Sequence, residues 1–98
     1  MDTAVKVKRI AELLHEAAET HHSVYRISAG DDPDWATWYS DWLTAHTELP
    51  EIIGRPVVRS ELTWMLVGLD KEFAHRGDVP GEDWTDYYAD ELVRHFSA

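Results

Sequence analysis

The chain has 98 residues, enough for one hydrophobic core and too few for two independent ones. It has no cysteine, which excludes disulfides, thiolate metal sites and cysteine nucleophiles and makes a reducing cytoplasm the expected compartment. Its formal net charge of −10 argues against nucleic acids and anionic membranes as partners. No apolar run approaches the length of a membrane span and no signal-peptide pattern opens the chain, so neither a membrane anchor nor export is expected.

Apolar residues recur at helical spacing along most of the chain. The first predicted helix spans about residues 2–27, and its apolar stripe includes His21. The second begins in the segment DDPDW, where Asp32 is suited to the N-cap and Pro33 to the first turn. Pro50 is predicted to end it, because proline interrupts a helix interior.

The second half of the chain predicts two more helices. The segment ELPEIIGRPVV is interpreted as a connector with one short turn. The third helix is expected from Ser60, as N-cap, to His75, and the fourth follows VPGED. Four helices joined by short connections predict an all-α fold, a four-helix antiparallel bundle.

Two segments of the chain are similar to each other. DWATWYSDWLTAH begins at Asp34 and DWTDYYADELVRH begins at Asp83, an offset of 49 residues with no gap. Six of the thirteen positions are identical, where ordinary composition gives about one. This predicts a helix–loop–helix unit used twice, with repeat one at about 1–49 and repeat two at about 50–98 of a single domain, 1–98, and hence a pseudo-symmetric bundle. Convergence of two amphipathic helices is the alternative.

The repeated signature Asp-Trp-x-x-[Trp/Tyr]-Tyr, together with the segments LPEIIGRP and LDKEF, resembles that of small uncharacterised bacterial helical proteins. The similarity covers about residues 13–96. The resemblance implies a compact, free-standing cytoplasmic domain, and it implies no activity, cofactor or catalytic residue.

Pairs with Glu-x-x-His spacing suggest a metal centre at first sight, because di-iron helical bundles use that spacing. Such pairs begin at Glu12, Glu19 and Glu72. The first two lie opposite the apolar stripe of their helix, where a solvated charged face is the ordinary interpretation. We therefore expect no metal and no cofactor.

Polar residues on apolar stripes suggest a different site. Burying an ionisable group is costly unless it is paired or lines a cavity. The hypothetical ligand site combines such residues with repeat tyrosines and a tryptophan, and consists of His21, Tyr39, Trp42, His46, Tyr88, Glu91 and His95. In it Glu91, one turn before His95, orients that imidazole. The alternative is that His46 and His95 only complement the dipoles of helix C-termini.

A third feature is apolar surface on the third helix. Trp64 and Val67 point away from the stripe that this helix turns to the core, and with Val57 they form a candidate interface. The alternative is that Trp64 lies flat on the connector, against Ile52 and Ile53. Aromatic anchors on an acidic protein suit a neutral or basic partner.

Two functions follow as hypotheses. The first is a non-enzymatic protein-interaction or self-associating module, acting as a homodimer or with another protein through the third helix. The second is a small-molecule or metal-binding protein, or a small enzyme, with the aromatic and histidine pocket. Neither hypothesis involves nucleic acid or a membrane.

Overall fold

The computed structural model describes residues 2–28, 31–76 and 83–97. These residues form five α-helices, one short 3₁₀-helix at Arg26–Ser28 and no strand, so the all-α prediction is confirmed. The α-helices are α1 (Thr3–Val24), α2 (Trp35–His46), α3 (Leu49–Ile53), α4 (Arg59–Arg76) and α5 (Trp84–Ser97). Within the described ranges, no helix combines the length and the apolar character that crossing a membrane requires.

The first helix begins at an acidic cap and ends earlier than predicted. The Asp2 carboxylate accepts a hydrogen bond from the Val5 N–H at 2.9 Å, which satisfies one of the free donors of the first turn. The α-helix ends at Val24, and the chain continues as the 3₁₀-helix rather than as α-helix up to residue 27. His21 lies on the buried face, as its stripe position predicts.

The start of α2 lies two residues later than predicted, about half a turn. Asp34, rather than Asp32, takes the N-cap position. Asp32 instead accepts a hydrogen bond from the Asp34 N–H at 3.0 Å, the local pattern that short acidic side chains favour in turns.

The predicted connector contains a helix of its own, so the described residues hold five helices rather than four. Pro50 lies in the first turn of α3, where its missing N–H has no partner to lose. Gly54 ends the helix with φ of 89°, and its N–H donates to the Pro50 carbonyl at 2.9 Å. The buried side chains of α3 add to the core. Helix propensity alone does not predict a stable helix of only five residues.

Packing is most extensive between α1 and α5 and between α2 and α4. The short α3 lies against α1, α2 and α5. The Cα radius of gyration of 13.1 Å matches the roughly 13 Å expected of one compact unit of about 100 residues. The helix pairs bring together the starts of α2 and α5 and the end of α4, and the candidate site lies there.

Candidate functional site

An open aromatic cleft lies where α2 and α5 begin and α4 ends. Its volume is about 350 Å³, at the small end of the range that ligand sites occupy. Five of its six lining side chains are aromatic. They are Trp35 and Tyr39 of α2, Asp70 and Phe73 of α4, and Trp84 and Tyr88 of α5.

Two walls of the aromatic cleft have the same construction. On α2, Trp35 and Tyr39 are one turn apart, and their ring centroids lie 5.7 Å apart at 88°. On α5, Trp84 and Tyr88 have the same spacing, with centroids 5.0 Å apart at 75°. Edge-to-face packing is a favoured arrangement for aromatic rings, so each pair holds two nearly perpendicular surfaces in place.

The third wall comes from the last turns of α4. The Phe73 ring lies 6.3 Å from that of Tyr88, at 79°. The Tyr88 hydroxyl donates a long hydrogen bond to Oδ1 of Asp70, 3.4 Å away. This bond ties the acidic side chain to the wall formed by α5.

The electrostatics of the aromatic cleft follow from these contacts. Burial raises the pKa of the Tyr88 hydroxyl far above its usual value, and the neighbouring Asp70 carboxylate raises it further. Burial also raises the pKa of Tyr39. Both phenols are neutral at pH 7, and Asp70 is the one carboxylic acid among the described residues that line the cleft.

A buried polar pair lies behind one wall of the cleft. His21 Nε2 is 3.1 Å from Oδ2 of Asp32, and the two side chains are only 8% and 9% exposed. The imidazole is surrounded by the rings of Tyr25, Trp38 and Tyr39, at centroid distances of 4.6, 5.1 and 5.3 Å. His21 is thus enclosed and paired, and it contacts the cleft through Tyr39 rather than lining it.

Two other predicted ligand residues lie in a different groove. His46, the last residue of α2, is exposed and lines a surface groove that Trp42 and Arg9 also line. The half-buried Trp42 stacks on Trp38, with centroids 6.2 Å apart at 8°. The structure therefore does not bring His46 or Trp42 to the aromatic cleft.

The last two predicted ligand residues lie on the far part of α5. His95 is half-buried and its Nε2 lies 2.7 Å from Oε1 of Glu61, so Glu61 of α4 orients this imidazole. The predicted partner, Glu91, lines a small cavity beside Trp64 instead. Spacing one turn apart on one helix suggested the wrong carboxylate, because the facing helix supplies a closer one.

The candidate interface residues differ in exposure. Trp64 is 69% exposed, which is incompatible with a ring lying flat on the connector. Val57 and Val67 are half-buried and pack against the core. The Trp64 ring centroid lies 6.2 Å from that of His95, so one residue of each hypothetical site meets on the surface of α4 and α5.

The potential metal ligands of the described part of the chain lie apart from one another. No three His, Asp or Glu side chains there are grouped closely enough to hold an ion. His15, from one of the Glu-x-x-His pairs, instead lies 3.0 Å from the Thr85 hydroxyl and 3.3 Å from Oδ2 of Asp83. These contacts join α1 to the start of α5.

Sequence reasoning missed Asp70 and Phe73 as site residues. A signal for Asp70 was present, since the 49-residue offset pairs it with His21. Each of these two polar residues lies beside the tyrosine of its own half, His21 beside Tyr39 and Asp70 beside Tyr88. The offset therefore contained more information about the site than the hydrophobic stripes did.

Comparison with protein-family models, with curated proteins and with solved structures finds no match to this chain. The geometry of the aromatic cleft is therefore the basis for a functional assignment.

Proposed function

We propose that this chain is a non-enzymatic binding module and that the aromatic cleft is its ligand site. The observation behind this proposal is that two Trp–Tyr pairs, 49 residues apart in the sequence, line one cleft. Among the described residues, the six that line the cleft include no Ser, His, Lys or Cys, and the carboxylate of Asp70 accepts a hydrogen bond from Tyr88. Such a lining suits shape and charge recognition better than nucleophilic or acid–base chemistry. The lack of cysteine fits a cytoplasmic setting.

We infer that the two halves arose as a repeat and that the cleft lies near their pseudo-symmetry axis. A shift of 49 residues takes α1 to α4 and α2 to α5. The same exchange converts the pair α1–α5 into α4–α2, and these are the two most extensive helix contacts. Both Trp–Tyr pairs come to one place under this operation, which is how a duplicated unit builds a shared site.

The proposed binding role is tested by mapping small-molecule fragments onto the protein by NMR. The five tryptophan indole N–H groups serve as reporters, and Trp35 and Trp84 belong to the cleft. We expect hits from a library of neutral, anionic and cationic fragments to shift these two signals and to leave that of exposed Trp64 unchanged. Replacing Trp35 or Trp84 by Leu should abolish those hits, whereas Trp64→Leu should preserve them. A library in which no fragment shifts Trp35 or Trp84 would contradict the proposal.

The second candidate function is protein association through the surface around Trp64. The observation that favours it is the 69% exposure of so large an apolar side chain on a helix that also turns Leu62, Leu66 and Leu69 to the core. Exposed aromatic side chains are frequent energetic centres of interfaces. A homodimer is the simplest case, and a neutral or basic protein is the other.

Sedimentation velocity over a range of concentrations tests the homodimer. The wild-type chain should show a concentration-dependent increase in sedimentation coefficient, and Trp64→Ala should abolish it. Ile27→Ala removes a different exposed apolar side chain, one outside α4, and serves as the control. A wild-type monomer at every concentration would exclude self-association through this surface.

A further inference from the structure

We propose that the group recognised by the aromatic cleft is a small alkylated ammonium ion, of the kind in choline or in a trimethylated lysine side chain. This inference rests on the proposed binding function and names the chemistry of its ligand. It draws on three properties of the cleft, namely the arrangement of its rings, its charge and its size.

The rings of the cleft form a box rather than a flat surface. Each Trp–Tyr pair presents two surfaces at 88° or 75°, and Phe73 adds a further ring at 79° to Tyr88. A methylated ammonium ion is roughly spherical and spreads its positive charge over its methyl groups, so it can contact several ring faces at once. A flat aromatic ligand, by contrast, can stack on only one ring of each perpendicular pair at a time.

The charge of the cleft favours a cation. Asp70 is the acidic side chain among the described lining residues, and the phenols of Tyr39 and Tyr88 are neutral at pH 7. An anion would meet the Asp70 carboxylate, and a hydrocarbon would desolvate it without offering a counter-charge. The net charge of −10 adds a long-range attraction for cations.

The protein already places one of its own cations on this group of rings. The Arg76 guanidinium carbon lies 4.5 Å above the centroid of the Tyr87 ring. Tyr87 in turn packs against Phe73, with centroids 5.7 Å apart, beside the cleft. This contact is an example, within the same aromatic cluster, of the attraction between a cation and a ring face.

The size of the cleft limits the ligand to a small group. At about 350 Å³ it suits a single head group with a short tail, rather than a large cofactor. Among the described residues the cleft is open on one side, so the ligand can be a free small molecule or the end of a lysine side chain on a protein.

The decisive experiment compares choline with its neutral isostere, 3,3-dimethylbutan-1-ol, in which a carbon atom replaces the nitrogen. Both are titrated into the wild-type chain at constant ionic strength, and binding is followed by the Trp35 and Trp84 indole signals. We expect choline to bind at least about tenfold more tightly than the alcohol, since the shapes match and only the charge differs.

A variant of Asp70 tests the role of the carboxylate. Asp70→Asn keeps the shape and removes the charge, and it should weaken choline binding by about fivefold while leaving the alcohol unaffected. The matched control is Glu61→Gln, which removes an acidic charge from the same helix about 13 Å away along its axis. It should leave both affinities unchanged. Because Asp70 is exposed, its substitution does not threaten folding.

Peptides with a trimethylated or an unmodified lysine then distinguish the source of the cation. Tighter binding of the trimethylated peptide than of choline supports a protein ligand, and tighter binding of choline supports a free small molecule.

Equal affinity of choline and the neutral alcohol would overturn the cation inference and leave the binding function standing. Failure of both probes while neutral or anionic fragments occupy the cleft would also overturn this inference alone. Failure of every fragment would overturn the binding function itself.

Discussion

The buried pair of His21 and Asp32 gives the sharpest test of how this fold is stabilised. His21→Phe keeps an aromatic ring among the three rings that surround this position, and it removes the imidazole nitrogen that lies 3.1 Å from Asp32. The substitution therefore isolates the polar contact from the packing.

The expected magnitude follows from the remaining partners of Asp32. Removing one member of a buried charged pair costs about 3–5 kcal/mol when the other is left unpaired. Asp32 is not left unpaired, because it keeps the hydrogen bond from the Asp34 N–H at 3.0 Å. A single hydrogen bond to a charged group contributes about 1.5–3 kcal/mol, so we expect His21→Phe to lower the free energy of unfolding by about 2 kcal/mol. The melting temperature should fall by about 8–16 °C, given about 4–8 °C per kcal/mol for a domain of this size.

Urea denaturation followed by circular dichroism measures this change, with His22→Phe as the matched control. His22 is the next residue of α1 and is exposed, so its substitution should change stability by less than about 0.5 kcal/mol. Asp32→Asn and the double variant complete a cycle, in which the two positions should be coupled by at least about 1 kcal/mol. A coupling indistinguishable from zero, or equal effects of His21→Phe and His22→Phe, would refute the reasoning.

Three further predictions concern acid, backbone and core. The backbone N–H and then the hydroxyl of Thr85 donate to Asp83 and lower its folded pKa below 3.8, so the stabilisation from Asp83 is complete above its unfolded pKa and is lost as pH falls through the lower folded value. The free energy of unfolding should therefore fall more steeply below about pH 4 in the wild type than in Asp83→Ala, as measured by denaturation at a series of pH values. At neutral pH, Asp83→Ala should lower the free energy of unfolding by about 1 kcal/mol, because it removes the side chain that accepts hydrogen bonds at the start of α5. Gly68→Ala should stabilise the chain by up to about 1 kcal/mol in urea denaturation, because it lies within α4 with open space for a Cβ, whereas Gly54→Ala should destabilise it by about 1 kcal/mol because φ is 89° there. Leu66→Ala should cost about 2–5 kcal/mol in the same assay, because this side chain is fully buried in the core, and a smaller loss would mean that the site collapses around the cavity.

The helices and their buried faces could largely be predicted from the sequence. Helical periodicity identified the all-α class and the buried position of His21 on α1, and the Asp-Trp segments marked the neighbourhood in which α2 and α5 begin. The phase argument also placed Trp64 away from the core, and its side chain is exposed. These inferences succeed because a helix has a fixed period, so a stripe of side chains reports which face is buried.

The short helix α3 could not be predicted from hydrophobic periodicity. Five residues give too few turns for a period to be visible, and a helix of that length is not stable alone. Its formation depends on burying Leu49, Ile52 and Ile53 against other helices, and a stripe does not say which neighbour will cover it.

The candidate site also needed the tertiary structure. The sequence identified Tyr39 and Tyr88 as site residues through the repeat, but it grouped them with His46 and His95, which lie elsewhere. A stripe tells that a residue faces inward and leaves open which residue of another helix it meets. That choice depends on how the helices pair, and the contacts of α1 with α5 and of α2 with α4 decided it. That pairing brings Asp70 of α4 to the two aromatic walls. Periodicity is a property of a single helix, whereas helix pairing depends on the packing of side chains from helices that are distant in the chain.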